Sequence, residues 1–254
     1  MPTTLRGVIN YTSNQPDRAG ADRGREHFAM TLNGDGSRSL RSHCVIQDAP
    51  LVERDVQLSV SADFVPQHAL VRIRVGDRDE GAAIFRFDGR RVHSAGYTLE
   101  GEHYVEEHEL PVSTGFFVTH PIQADAWLLA SLAAGPEPGI FQVANFPTCS
   151  NDHRGASGPR LCIHEPAIDI HFLGREHIHV AAGDFDALHF CYGDPAVNPM
   201  GSNRAGEHPR YHVWTSAEGH YVLLRARVDG YMQTEYELVS LSAVSYTHLR
   251  AHET

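Results

Sequence analysis

Apolar and polar residues alternate with a period of two through most of the chain between Gly24 and Leu241, the pattern of strands that bury one face. Phe28, Met30 and Leu32 alternate with His27, Ala29 and Thr31, and Asn33-Gly-Asp-Gly36 follows with residues that tolerate positive φ. A hairpin is therefore predicted over Arg25–Gln47, returning through Leu40, Cys44 and Ile46. Further strands are predicted over Leu51–Ser61, Ala69–Val75, Ala82–Phe87, Arg91–Leu99, His103–Leu110 and Ile140–Phe146. The series continues over Ile168–Phe172, Glu176–Ala181, Phe185–Tyr192, Tyr211–Ser216, Tyr221–Val228 and Met232–Leu241. One segment breaks the period. Thr119-His-Pro121 offers an N-cap threonine and a first-turn proline, and Ile122, Ala124, Ala126, Trp127, Leu128, Leu129, Ala130 and Leu132 then leave almost no polar face. A helix apolar nearly all round is a buried helix. The polar loops Pro147–Arg160 and Gly193–Pro209 lie between strands of matching character and do not read as domain linkers. The expectation is one all-β domain with minor α content over residues 1–241, an antiparallel meander forming a curved, half-open barrel around one buried helix.

Ser242–Thr254 shows neither strand alternation nor a helix cap and resembles a translated sequencing adapter, so residues 242–254 are expected to form a non-native or disordered tail. Hydrophobic residues, 41% of the chain, suffice for a core, while no apolar run is long enough to span a membrane. The opening run Met1–Gly7 lacks the basic-then-apolar layout of a signal peptide, which predicts a cytoplasmic protein. With a formal charge of −11 and no basic stretch interleaved with aromatics, nucleic acid is not an expected partner. All 21 basic residues are arginine, which excludes Schiff-base chemistry and Walker-type phosphate binding, since both need an amine. Cys44, Cys149, Cys162 and Cys191 form no Cys-x-x-Cys pair and so no structural zinc site; Cys149 and Cys162 could pair in an oxidising compartment but are expected reduced in the cytosol. Gly-x-Ser-x-Gly, His-Glu-x-x-His and dinucleotide fingerprints are absent, which disfavours classical hydrolases and Rossmann oxidoreductases, and no cofactor is expected.

The last third carries His179-Val-Ala-Ala-Gly-Asp-Phe-Asp-Ala-Leu-His-Phe190, then Tyr211-His-Val-Trp-Thr-Ser216, Tyr221-Val-Leu-Leu224 and Tyr236-Glu-Leu-Val239. This order of turn, "Val-Trp" strand and closing strand resembles a bacterial family of domains of unknown function related to the periplasmic lipoprotein-carrier superfamily. The resemblance implies a half-open barrel whose concave face holds a helix and an apolar ligand such as a lipid. Its motifs are structural and carry over no catalytic residue. The lipobox cysteine and signal peptide of export-linked relatives are lacking.

Several residues are candidates for chemistry. His120 and Asp125 sit on or beside the buried helix and would act as acid and base if that helix lines a cavity; otherwise they belong to the helix cap and its dipole. Tyr11, Arg54 and Tyr231 are candidates for stabilising charge, Arg54 because Arg54-Asp55 interrupts an apolar strand. Phe116, Phe117, Trp127 and Trp214 are expected to line an apolar site, with Gln233 as a polar contact. His177 and His179 share one face at i and i+2 and, with Asp184, form the alternative of a metal site, although Ile178 and Val180 read as the inward residues. Two functions follow: a soluble protein binding a hydrophobic small molecule or lipid in the barrel cavity, or a cofactor-free lyase, isomerase or hydratase working on a hydrophobic substrate by His/Asp/Tyr acid–base chemistry.

Overall fold

Among the described residues the alternation builds sixteen antiparallel strands and one helix. The computed structural model describes residues 2–245 apart from 78, 111–114, 133–134, 136, 153–154, 166, 194–208 and 230–233. An eight-strand meander runs β1 (Thr3–Ser13), β2 (Asp22–Leu32), β3 (Arg38–Ile46), β4 (Val52–Val60), β5 (Pro66–Val75), β6 (Asp79–Asp88), β7 (Arg91–Tyr97) and β8 (His103–Glu109). After helix α1 (Ile122–Ala130) come β9 (Gly139–Val143) and a two-stranded pair, β10 (Phe146–Thr148) with β11 (Cys162–His164). A second meander follows: β12 (Ile168–Val180), β13 (Gly183–Tyr192), β14 (Tyr211–Ser216), β15 (Leu223–Val228) and β16 (Thr234–Ser245). Pairing of β1 with β16 fuses the two meanders into a 14-stranded sheet, ordered β8 to β1, then β16 to β12, then β9. The sheet is curved and not closed, its edges being β8 and β9.

So wide an open sheet must coil, because each strand twists relative to its neighbour. Register shifts at Val8/Ile9, Tyr11/Thr12, Ser59/Val60, Phe172/Gly174 and Trp214/Thr215 mark bulges that increase the bend. One face is thereby gathered into a single core: Ile9, Phe28, Met30, Leu40, Val71 and Phe85 from the first meander meet Ile170, Phe172, Phe190, Val213, Leu223 and Leu238 from the second. Helix α1 lies inside this wrap against β14 and β15, with eight of its nine residues buried. Trp127 is 2% exposed, donates its indole N–H to the His220 carbonyl at 3.3 Å and meets Phe64 edge-on.

Four features depart from the strand reading of the sequence. β1 lies upstream of the alternating region and joins the two meanders. Ile168–Val180 is one bulged strand rather than two. β10 and β11 lie within and beside the expected loop Pro147–Arg160. β16 pairs with β1 as far as Thr3↔Ser245, so Ser242–Ser245 is strand and the segment expected as a tail is ordered over its first four residues. Residues 246–254 lie outside the described region.

Gly24 makes one bend possible. It sits beside the Tyr11/Thr12 bulge at φ +131, and a Cβ there would stand 1.9 Å from the Val45 carbonyl oxygen. Backbone cannot yield as a side chain can, so Gly24→Ala should destabilise the protein by about 2 kcal/mol or more, measured by urea unfolding. The same substitution at Gly34, with open space around it, should leave the midpoint nearly unchanged.

Candidate functional site

Helix α1 does not fill the wrap. Between it and the sheet lies a cavity of about 590 Å³. Its apolar wall includes Phe116, Val118, Leu128, Leu129, Phe146, Ile163, Ile168 and Ile170. Its polar groups form two sets, one around the N-terminal half of the helix and the adjoining strands, the other, with Asn151, Asp152, His164 and Glu165, at β10, β11 and the residues beside them. Residues from β1, β4, β12, β14 and β16 line this one space, which is the direct consequence of the sheet's curvature.

The helix is anchored there by a residue of the sheet. Pro121 occupies the N-cap position and supplies no side-chain acceptor, and Thr119, though wholly buried, does not cap the helix as expected. Glu26 of β2, 0% exposed, takes that role. Its Oε2 accepts the Ile122 N–H at 2.7 Å and the Tyr11 hydroxyl at 3.0 Å; its Oε1 accepts the Ser42 hydroxyl at 2.7 Å and the Gln123 N–H at 3.4 Å. Two of the helix's unpaired N–H groups are thus satisfied across the core. Burial raises the Glu26 pKa, opposed by the bonds from Ser42, Tyr11 and the two backbone donors. At the helix's other side the Gln123 amide donates to the Tyr221 carbonyl at 3.0 Å and accepts from the Leu223 N–H at 2.9 Å, which fixes α1 to β15.

Arg54 enters from β4, 3% exposed, and donates to the His120 carbonyl at 3.2 Å. His120 has a positive φ of 69°, which turns the chain into the helix. Gly155 packs on both: a Cβ there would lie 2.2 Å from Arg54 Nη1 and 2.8 Å from the His120 ring. Arg23, also on the wall, is paired with Asp48 and donates to Thr234.

Asp125 is the one charged residue of α1 and stands half-buried at the cavity wall. It accepts the Tyr211 hydroxyl at 3.1 Å. Burial pushes its carboxyl up to about 7, against the Tyr211 bond and the distant Arg54, with Glu26 adding to the rise. Tyr11, Tyr192, Tyr211 and Tyr236 share the wall, packed edge-to-face as Tyr192–Tyr211 at 5.1 Å and Tyr11–Tyr236 at 4.8 Å. Burial raises the pKa of all four, so they are neutral donors and acceptors with apolar rings.

Of the residues singled out from sequence, Tyr11, Arg54, Phe116, His120 and Asp125 come together around this cavity. Trp127 turns away from it toward His220 and Phe64. Phe117 packs 5.0 Å from Phe85 and 4.9 Å from Phe87, off the wall. Trp214 is on the outer face, stacked 4.1 Å from His189 and donating to Glu176. Tyr231 and Gln233 lie outside the described residues. His177 and His179 are on the outer face of β12 and pair with carboxylates, His177 with Asp186 at 3.1 Å and His179 with Asp184 at 3.0 Å. Among the described residues no group of three His, Cys, Asp or Glu is arranged to hold a metal ion. Glu26, Tyr192, Tyr211 and Tyr236 escaped the sequence reading. Glu26 alone left a trace, a carboxylate in phase with inward Phe28 and Met30.

A shallower depression of about 340 Å³ on the outer face, lined by His27, His43, Asp55 and Leu70 among others, is bordered by surface ion pairs such as His43–Asp55 and Arg72–Asp55. The larger cavity beside α1 holds the buried polar groups.

No protein-family model matches the sequence, nor does any curated protein. In structure the chain is similar to a β-barrel-like protein of domain of unknown function DUF1849 from Brucella abortus, with a TM-score of 0.55 and 9% sequence identity over 96% of this chain and 99% of that one. At that identity the likeness is one of fold: this chain has a β-barrel-like fold.

Proposed function

We propose that the protein binds a small, mainly apolar molecule, such as a lipid or lipid-like compound, between α1 and the curved sheet. The observation that supports this most directly is the cavity of about 590 Å³ itself, with an apolar wall from the helix and sheet set beside numerous polar side chains. That size matches sites for drug-sized ligands, in which apolar surface gives affinity and polar groups give orientation. A concave sheet and a helix around an apolar ligand is also the plan that the lipoprotein-carrier resemblance implies.

The reading is tested by filling the space. Leu129→Trp puts a large ring where the wall faces the void, and a fluorescent lipid probe should then lose at least about tenfold in affinity. Leu129 itself is buried, so thermal unfolding must first show that the ring is accommodated, with a loss of no more than about 1–3 kcal/mol. Native mass spectrometry of the freshly purified wild type should show a retained lipid-like adduct. Unchanged probe affinity in the filled variant would place the probe elsewhere and remove the support for this cavity.

A further inference from the structure

We infer that the tyrosine-lined end of the cavity takes an alkylated, positively charged nitrogen, so that the ligand class is a lipophilic amine or quaternary ammonium compound. The inference rests on the binding reading above and narrows it.

Three features point to a cation. The first is the pairing of charge and ring faces: Asp125 stands on the wall with Tyr11, Tyr192, Tyr211 and Tyr236, in two edge-to-face pairs at 5.1 and 4.8 Å. Aromatic faces carry negative potential and tolerate alkyl groups, so rings beside a carboxylate attract an organic cation that a strongly hydrated inorganic ion would not replace. The second is what happens to the wall's two guanidinium groups. Arg23 is paired with Asp48, and Arg54 is 3% exposed, bonded to the His120 carbonyl and hemmed in by the Gly155 backbone. Both are held by these partners, and although their charge reaches Tyr236, the charged group standing among the rings is Asp125, which an anionic head would meet there. The third is the whole-chain charge of −11, whose field draws cations and repels anions.

Binding would be linked to a proton. The groups facing Asp125 are the Tyr211 hydroxyl, Tyr192, Tyr236, the carboxylate of Glu26 and, farther off, Arg54. In the empty cavity burial holds the Asp125 proton to about pH 7. An arriving cation favours the ionised carboxylate, so below that pH each cation bound should release one proton to solvent.

The experiment compares octyltrimethylammonium, octanol and octanoate by isothermal titration calorimetry. The ammonium compound should bind the wild type at least about tenfold tighter than octanol, with octanoate weakest. Its affinity should rise by roughly fivefold between pH 6 and pH 7 and by no more than about twofold above, while octanol shows no such rise. Asp125→Asn should abolish the preference and keep octanol binding. If that variant binds neither compound, the wild-type pH profile decides alone, and a flat profile overturns the inference. Octanol binding as tightly as the ammonium compound, or octanoate binding best, overturns the inference and leaves the cavity reading standing. Binding of none of the three removes the cavity reading and the inference with it.

Discussion

Glu26→Ala should lower the unfolding free energy by about 3–5 kcal/mol, the largest effect expected of any single side chain that seats the helix. The carboxylate accepts four hydrogen bonds with no access to bulk water, and truncation strands every donor at once. Two of those donors are the first amides of a nine-residue helix, too short to hold its shape without tertiary support. Glu26→Gln separates charge from shape. A glutamine oxygen placed at Oε2 keeps Ile122 and Tyr11, but its NH₂ then faces the Gln123 N–H across the longer 3.4 Å contact. The other orientation sets NH₂ against the Ile122 N–H at 2.7 Å, which is worse. The glutamine variant should therefore lose only about 1–2 kcal/mol. Urea unfolding gives the order, and the near-ultraviolet signal of buried Trp127 shows whether the helix has left its seat. Equal midpoints for wild type and Glu26→Ala would mean that the helix is held by packing alone.

The same network shows how far the fold and its site were legible in the sequence. Strands β2 and β3 could be read directly, because Phe28, Met30, Leu40 and Cys44 keep the inward phase, with Glu26 and Ser42 as its polar exceptions. β1 could not. Its inward set is Gly7, Ile9, Tyr11 and Ser13, only partly apolar, since the Phe28 ring already occupies the space over Gly7, where a Cβ would lie 2.3 Å from its Cζ. With β1 missing from view, nothing marked Ser242–Ser245 as its partner. The helix was plain from composition, but an all-apolar helix does not say which side meets a void. Trp127 took the packed side, and Asp125 with Leu128 and Leu129 took the open one. Glu26 was visible as a polar residue in an inward phase, yet its two helix partners are 96 and 97 residues away, a pairing that only the coiling of the sheet around α1 creates. The four tyrosines meet for the same reason: they come from β1, β13, β14 and β16, and only the β1–β16 junction brings the two meanders around one space.

Asp125 should make the protein less stable as pH rises from about 4 to 7, opposite to the usual behaviour of a carboxylate in a salt bridge. Its folded pKa is raised to about 7 from an ordinary 3.8. Below both values the folded and unfolded chains each hold the proton, and the group's contribution is fully present. Between them the unfolded chain has released the proton and the folded chain retains it, so each pH unit costs up to about 1.4 kcal/mol; above the folded value the curve is flat. Contact with the cavity moderates the slope, and a total loss of about 2–3 kcal/mol between pH 5 and 7 is expected. Glu26, also raised by burial, adds in the same direction. His189 and His212 on the outer face act in the opposite sense: burial lowers both, so the stability they contribute is lost as pH falls through their folded values. Subtraction removes these terms, because Asp125→Asn leaves Glu26 and both histidines in place. The difference between wild type and variant should fall by about 2 kcal/mol or more from pH 5 to 7 and hold constant from pH 7.5 to 9. A difference independent of pH would mean that water hydrates the carboxylate in the empty protein and that the helix carries an ordinary surface acid.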